Sequence, residues 1–160
     1  MKTLMVAAAT SLLTSTALAQ SAAAPHDPVA VFPTHDLHQQ IAQLVAEAKE
    51  KGSSSATLAD YGSYKIQLSV RTKSGGAEVH AHWDDVMMVK EGHATLVTGG
   101  SVIGGESRPD GETLGKTIDG GQSHNLAPGD VFTVRAGTPH QTVVAAGTIY
   151  AAVVVKIHEP

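Results

Sequence analysis

Apolar side chains recur with a helical period in one segment of this 160-residue chain. Between Leu37 and Ala48 they return every three or four residues, and Gly52 follows. This spacing predicts one amphipathic helix over residues 35–51, with Thr34 as its N-cap and Gly52 as a left-handed C-cap. Because the helix has one apolar stripe, we expect it to lie on the outside of an apolar surface.

After Ser55 the pattern changes to short segments in which apolar and polar residues alternate, separated by glycine pairs. Such segments are typical of β-strands that are buried on one face. The predicted strands are 63–72, 77–83, 85–90, 94–98, 130–135, 141–145 and 148–158. Many short strands with closely spaced turns predict an all-β fold, a single barrel or double-sheet jelly roll with one N-terminal helix.

The alternation also predicts what fills this barrel. We expect an apolar interior whose lining includes Tyr64, Ile66, Leu68, Met87, Val89 and Val131. The last strand is apolar on both faces over residues 150–155, so its outer face needs cover, either from helix 35–51 or from a second subunit. Residues 99–121 contain eight glycines and little periodicity, which predicts a long excursion that is either a mobile surface loop or a lid.

The first residues are typical of a secretory signal peptide. Lys2 precedes a mostly apolar run over residues 4–13, and Ala17-Leu18-Ala19 has the form of a cleavage site. The apolar run is shorter than the roughly 20 residues that a membrane-spanning helix needs. We therefore expect a periplasmic or secreted protein with three segments: a signal peptide (1–19), a flexible leader with the helix (20–55) and the barrel domain (56–160).

Composition narrows the possible partners. The formal net charge is −4 and there are no cysteines. A mildly acidic chain without a basic cluster argues against nucleic acids and membranes as partners and leaves a small molecule as the expected ligand. The absence of cysteine excludes disulfides, so stability must come from the core or from a bound metal.

Three of the nine histidines fall in positions that favour metal binding. His80 and His82 are two residues apart in a predicted strand, so their side chains leave the same face. Asp84 and Asp85 follow, and His140 comes after a distant apolar strand. Imidazoles and a carboxylate that converge from different strands suit one divalent ion of the Zn, Mn, Fe, Ni or Cu type.

Two segments resemble the paired motifs of the cupin superfamily. The first family motif, G-x5-H-x-H-x(3,4)-E-x6-G, is similar to residues 75–92, and the second, G-x5-P-x-G-x2-H-x3-N, to residues 129–144. Together the two motifs span about half of the expected mature chain. The resemblance implies a cupin barrel, frequent homodimers and a metal bound by His80, His82, Asp85 and His140.

The acidic position departs from the motif. Asp85 stands where the family has Glu, and two residues rather than three or four separate it from His82. Alternation favours Asp85 over Asp84 as the inward acid, because an inward Asp84 would also bring Lys90 into the barrel. Asp85 is therefore expected as a fourth ligand or a local catalytic base, or else as a residue that orients a ligand histidine.

Two functions remain open at this point. The first is an exported metalloenzyme with oxygenase-, lyase- or isomerase-type chemistry on a small molecule, with Asp85 as the catalytic candidate. The second is a non-catalytic binding module for a small carboxylate or sugar, in which the metal is structural. An open cavity beside the metal favours the enzyme, whereas a closed site favours the module.

Overall fold

The computed structural model describes residues 29–159. The predicted signal peptide (1–19) and leader residues 20–28 lie outside this range. One helix, α1 (Thr34–Lys51), begins after Pro33 and ends at Gly52, whose φ of 96° is left-handed and whose N–H donates to the Ala48 carbonyl at 2.7 Å. Within residues 29–159 no helix is both long and apolar enough to cross a membrane.

Thirteen strands follow the helix in residues 53–158, and eleven of them form two main sheets. The strands are β1 (Ser53–Asp60), β2 (Tyr64–Arg71), β3 (Ala77–His80), β4 (Trp83–Glu91), β5 (Ala94–Thr98), β6 (Ser101–Ile103), β7 (Glu106–Ser107), β8 (Glu112–Gly115), β9 (Thr117–Asp119), β10 (Gln122–Leu126), β11 (Val131–Val134), β12 (His140–Val143) and β13 (Tyr150–His158). The first main sheet has the order β1-β2-β13-β4-β11, and the second β10-β5-β12-β3-β8-β7.

The two main sheets pack face to face as a jelly roll. One cluster of buried side chains joins them, with Val89, Val134 and Ala152 from the first sheet and Leu96 and Leu126 from the second. The predicted all-β fold with one N-terminal helix is therefore confirmed. Every strand pairing is antiparallel, so in each strand alternate side chains point into the space between the sheets.

The outer face of the first sheet is covered by α1. Leu37, Ile41 and Leu44 of the helix pack in one cluster with Val70 of β2 and Val153 of β13. The helix therefore supplies the cover that the last strand needs.

The prediction of an apolar interior is wrong for three of the six lining residues named. Ile66 packs against the cluster beneath α1, and Leu68 belongs to that cluster but also borders the cavity, whereas Met87 and Val89 point inward. Tyr64 and Val131 are 39% and 64% exposed. The physical reason is that the helix competes for the apolar face of β2, which leaves its polar face, Gln67, Ser69 and Arg71, to line the interior.

The strand predictions also need two corrections. The predicted strand 77–83 is confirmed over residues 77–80, but its end is wrong, because β3 ends at His80 and residues 81–82 form a bend before β4. Strand β1 and the strands β6 to β10 were not predicted. Strand β1 begins with three serines, so its alternation is weak.

The glycine-rich excursion 99–121 is folded. Strands β6 and β9 pair to form a small separate sheet, and β8 pairs with β3 of the second main sheet. Its β7 and β8 therefore belong to the barrel wall.

Shortening a side chain on the apolar face of α1 should destabilise the fold. Ile41 is 1% exposed, so we expect Ile41→Ala to lower the free energy of unfolding by about 2–5 kcal/mol. Gln43→Ala, on the exposed face of the same helix, is the control and should change it by less than about 0.5 kcal/mol. Urea denaturation of both variants measures the difference; equal effects would contradict the packing of α1 on the sheet.

Candidate metal centre

Three side chains from two adjacent strands converge inside the barrel. Glu78 and His80 of β3 and His140 of β12 each bring one potential ligand atom within 4.8 Å of the others. Both histidines are buried, with exposures of 8% and 4%. The three residues lie in the wall of a cavity of about 250 Å³ between the main sheets.

Strand geometry explains the convergence. Glu78 and His80 are two residues apart in a regular strand, so they share a face. His140 is the register partner of Glu78 on β12, and directly opposite residues of an antiparallel pair have neighbouring side chains. The rings of His80 and His140 are 4.9 Å apart, centroid to centroid.

A carboxylate on a third strand orients His80. Glu112 of β8 is the register partner of His80 and hydrogen-bonds its Nδ1 atom. The Nε2 atom of His80 then faces two other carboxylates, at 3.4 Å from Asp85 Oδ2 and 3.7 Å from Glu78 Oε2. A carboxylate on the remote nitrogen of a histidine is the usual support of a metal-binding imidazole.

His140 is oriented by the backbone. Its Nδ1–H donates to the Thr138 carbonyl at 3.0 Å. In the neutral ring this leaves the lone pair on Nε2. Both histidines therefore use Nδ1 for support and keep Nε2 for a ligand.

Asp85 of β4 lies deepest in the cluster and is paired with a lysine. It is 2% exposed, and Lys156 of β13, its register partner, donates to its Oδ1 at 2.6 Å. The lysine is itself mostly buried. Asp85 is thus shared, with one oxygen on Lys156 and the other facing His80.

Burial and pairing act in opposite directions on the pKa values of these groups. Burial raises the pKa of Asp85, but the hydrogen bonds and positive charges of His80 and Lys156 outweigh it, so the pKa lies below its usual range. Burial lowers the pKa of His80, but hydrogen bonds to Asp85 and Glu112 raise it above the ordinary value. For His140 burial prevails, and its pKa is lowered.

The other side of the cavity holds a second pair of cross-strand neighbours. Arg71 of β2 and Tyr150 of β13 are register partners, and both line the cavity. Arg71 Nη2 donates to Glu78 Oε1 at 3.2 Å. Tyr150 is 2% exposed, and its hydroxyl has no hydrogen-bond partner among the described residues. An unpartnered buried polar group costs about 1–3 kcal/mol, so this hydroxyl requires an explanation.

The structure does not bring His82 to the cluster. The period-two argument assumed one strand through residue 83, but the bend after His80 turns His82 outward, where it is exposed and its ring lies 6.3 Å from that of His158. Asp84 also points away from the cavity. It accepts a hydrogen bond from the Ala136 N–H at 2.6 Å and pairs with Arg135.

Sequence reasoning overlooked Glu78, although a signal for it was present. If Glu78 and His80 take the places of the two motif histidines, four residues separate His80 from Asp85 and six separate Asp85 from Gly92. These two spacings then agree with the motif, with Glu in place of the first histidine and Asp in place of the acid, whereas the opening G-x5 spacing does not, because only two residues separate Gly75 from Glu78. Glu112 and Lys156 belong to no motif, and only strand pairing brings them to the site.

No protein-family model and no curated protein sequence matches the chain. Among solved structures, TT1209 from Thermus thermophilus aligns with a TM-score of 0.51 and 17% identity, over 69% of this chain and 87% of that one. The cupin domain of Schizosaccharomyces pombe Cnp3 aligns with a TM-score of 0.50 and 8% identity, over 67% of this chain and 65% of that one. Polyketide cyclase RemF from Streptomyces resistomycificus gives 0.48 and 20%, over 69% of each chain, a score that carries no functional argument. At these identities the likeness shows the fold alone, which is the cupin fold.

Replacement of Lys156 should reveal how much free energy of unfolding is lost when the buried Asp85 carboxylate has no lysine partner. In Lys156→Met, Asp85 loses its cation inside the barrel, and we expect the free energy of unfolding at neutral pH to fall by about 3–5 kcal/mol. The double variant that combines Asp85→Asn with Lys156→Met should recover part of this lost free energy of unfolding. Denaturation of metal-free protein measures this, with the exposed Lys49→Met as the control. Equal stability of the two lysine variants would contradict the pairing.

Proposed function

We propose that the protein is a metal-dependent cupin enzyme, in which one divalent transition metal is held by His80, His140 and Glu78 and acts on a small molecule in the barrel cavity. The observation that carries this proposal is the convergence of three potential ligands on the wall of a 250 Å³ cavity. Asp85 is the fourth candidate ligand.

The chemistry of these side chains fits such an ion. Two imidazoles and one or two carboxylates suit Zn, Mn, Fe, Ni or Cu, and no thiolate is present to narrow the choice. Both imidazoles are buried and have Nδ1 engaged, which favours coordination through Nε2. When bound, the metal would polarise a substrate oxygen or activate water or O2.

The role of Asp85 follows from its partners. Although burial alone would raise its pKa, His80 and Lys156 hold the pKa low, so the carboxylate is ionised at neutral pH and is a weak base. In this proposal Asp85 would help to hold the ion or would orient His80, while Lys156 binds its Oδ1 atom.

The cavity favours an enzyme over a module with a structural metal. A structural site is closed by four protein ligands, whereas a catalytic site keeps a position open to substrate. Here the cavity adjoins Glu78, His80 and His140 on one side. The alternative, a non-catalytic module that captures a small carboxylate or sugar, would use the same cavity without turnover.

Metal content should depend on Glu78 and not on His82. We expect His80→Ala, His140→Ala and Glu78→Gln each to remove most of the bound metal and to abolish the rise in melting temperature that metal produces. His82→Ala is the matched control and should keep both. Elemental analysis of protein purified from the native host without added metal also identifies the ion.

Two results would contradict this ligand set. Loss of metal in His82→Ala but not in Glu78→Gln would restore the set expected from the motif alone. Full occupancy in a chain with both His80 and His140 replaced by Ala would exclude a metal centre at this position.

We further propose that the protein is exported to the periplasm or medium. This rests on the layout of residues 1–19, which lie outside the described range. Mass spectrometry of the native protein should find Gln20, or its pyroglutamate, at the N-terminus in the periplasmic or secreted fraction. A full-length form confined to the cytoplasm would contradict export.

A further inference from the structure

The cavity has a polar end that the proposed metal does not use. Arg71 and Tyr150 lie side by side on the inner face of the first sheet, and the guanidinium adjoins Glu78 at the edge of the metal cluster. Ser69, two residues before Arg71 on the same face of β2, also lines this end. A ligand that touches the metal through one oxygen can therefore extend toward Arg71 and Tyr150 within one continuous space.

The Tyr150 hydroxyl calls for an acceptor. Tyr150 is 2% exposed and lines the cavity, and its hydroxyl is buried without a partner among the described residues. Burial raises the pKa of Tyr150 to about 12, against a smaller opposing effect of the Arg71 charge, so the group is a neutral donor at neutral pH. A buried donor beside a cation suits an acceptor that is negatively charged.

Most of the N–H donors of Arg71 make no hydrogen bond within the described residues. Its one side-chain hydrogen bond within the described residues is the Nη2 bond to Glu78. A guanidinium carries five N–H donors in a planar fork that matches a carboxylate. The side chain is partly buried in the cavity wall, and its contact with Glu78 holds it toward the cluster.

The net charge of the cavity favours the same class of ligand. Arg71 and Lys156 balance Glu78 and Asp85, so a divalent ion would leave an excess of two positive charges among the lining groups. Glu112, behind His80 and outside the cavity wall, lowers this excess by one. A neutral sugar would leave the excess uncompensated, whereas an organic anion neutralises it.

We propose that Arg71 and Tyr150 form a carboxylate-binding subsite, and that the ligand of the cavity is a small organic acid that bridges this subsite and the metal. The cavity of about 250 Å³ is smaller than the roughly 300–1,000 Å³ typical of pockets for drug-sized ligands, which limits the acid to a few carbon atoms. This inference rests on the proposed metal centre for one end of the ligand, but the subsite consists of the chain's own residues.

Calorimetric titration with short dicarboxylates tests the subsite. The probes are malonate, succinate and glutarate, each compared with its uncharged diamide, on metal-loaded and metal-free protein. We expect at least one dicarboxylate to bind about tenfold or more tightly than its diamide, because only the acid has a charged acceptor for Arg71 and Tyr150. If none of the three acids binds better than its diamide, the carboxylate subsite is wrong.

Substitution of the two residues localises the binding. Tyr150→Phe should weaken the best dicarboxylate by about 10- to 100-fold, since one hydrogen bond to a charged group is lost. The ligand-free melting temperature should not fall, because the hydroxyl has no partner there. Arg71→Gln should weaken binding at least as much, with partial recovery in Arg71→Lys. Tyr64→Phe, at a half-exposed tyrosine outside the cavity, is the control. Unchanged affinity in Tyr150→Phe and Arg71→Gln would overturn the assignment.

Metal analysis of the same samples separates this inference from the proposed function. If the protein holds a full complement of metal but binds the dicarboxylates no better than their diamides, the carboxylate subsite is refuted and the metal centre is not. Preference for acids that depends on Arg71, in a protein that binds no metal at the cluster, would refute the metal centre alone.

Discussion

Strand β13 must bury both of its faces, and the arrangement of the barrel follows from this constraint. It is the central strand of the first sheet, between β2 and β4, and residues 150–154 are all buried. Side chains alternate between the two faces of a strand. Ala151 and Val153 therefore pack beneath α1, while Tyr150, Val154 and Lys156 point into the cavity.

The cover that α1 provides also determines the character of the interior. Because the apolar face of β2 is used beneath the helix, its polar face must point into the barrel. Buried polar and charged groups are costly unless they are paired. The polar residues of the interior lie directly opposite one another on neighbouring strands: Glu78 and His140, His80 and Glu112, Asp85 and Lys156, and Arg71 and Tyr150. Hydrogen bonds between His80 and Glu112, between Asp85 and Lys156, and between Arg71 and Glu78 offset much of this cost.

These pairs explain why the site lies at one end of the cavity. Three of the four place a carboxylate opposite a histidine or a lysine. Of these carboxylates, Glu78 and Asp85 face the Nε2 atom of His80, whereas Glu112 bonds its Nδ1 atom. The fourth pair is Arg71 and Tyr150, and the Tyr150 hydroxyl has no hydrogen-bond partner among the described residues. This missing partner points to a ligand beside Tyr150. The excursion between the two motifs contributes through β8, which brings Glu112 to His80.

Local patterns were sufficient for a large part of the fold. The spacing of Leu37, Ile41 and Leu44 predicted α1, and the alternation along 85–90 predicted that Asp85, Met87 and Val89 share the inward face. Each of these predictions depends on the period of a single regular element, which can be counted along the chain. The second motif likewise led to His140, which follows an apolar strand at the expected distance.

Tertiary structure decided the rest, because it determines where a regular element ends and what competes for its faces. The period-two argument placed His82 beside His80, but strand β3 ends at His80, and the bend gives Glu78 the place expected for a histidine. Alternation and hydrophobicity predicted that Ile66 lines the interior, but it packs beneath the helix instead. Glu112 and Lys156 lie 32 and 71 residues from the side chains they contact, so no local period could connect them. Alternation along one strand defines which residues share a face; only the packing of the other elements decides which face is inside.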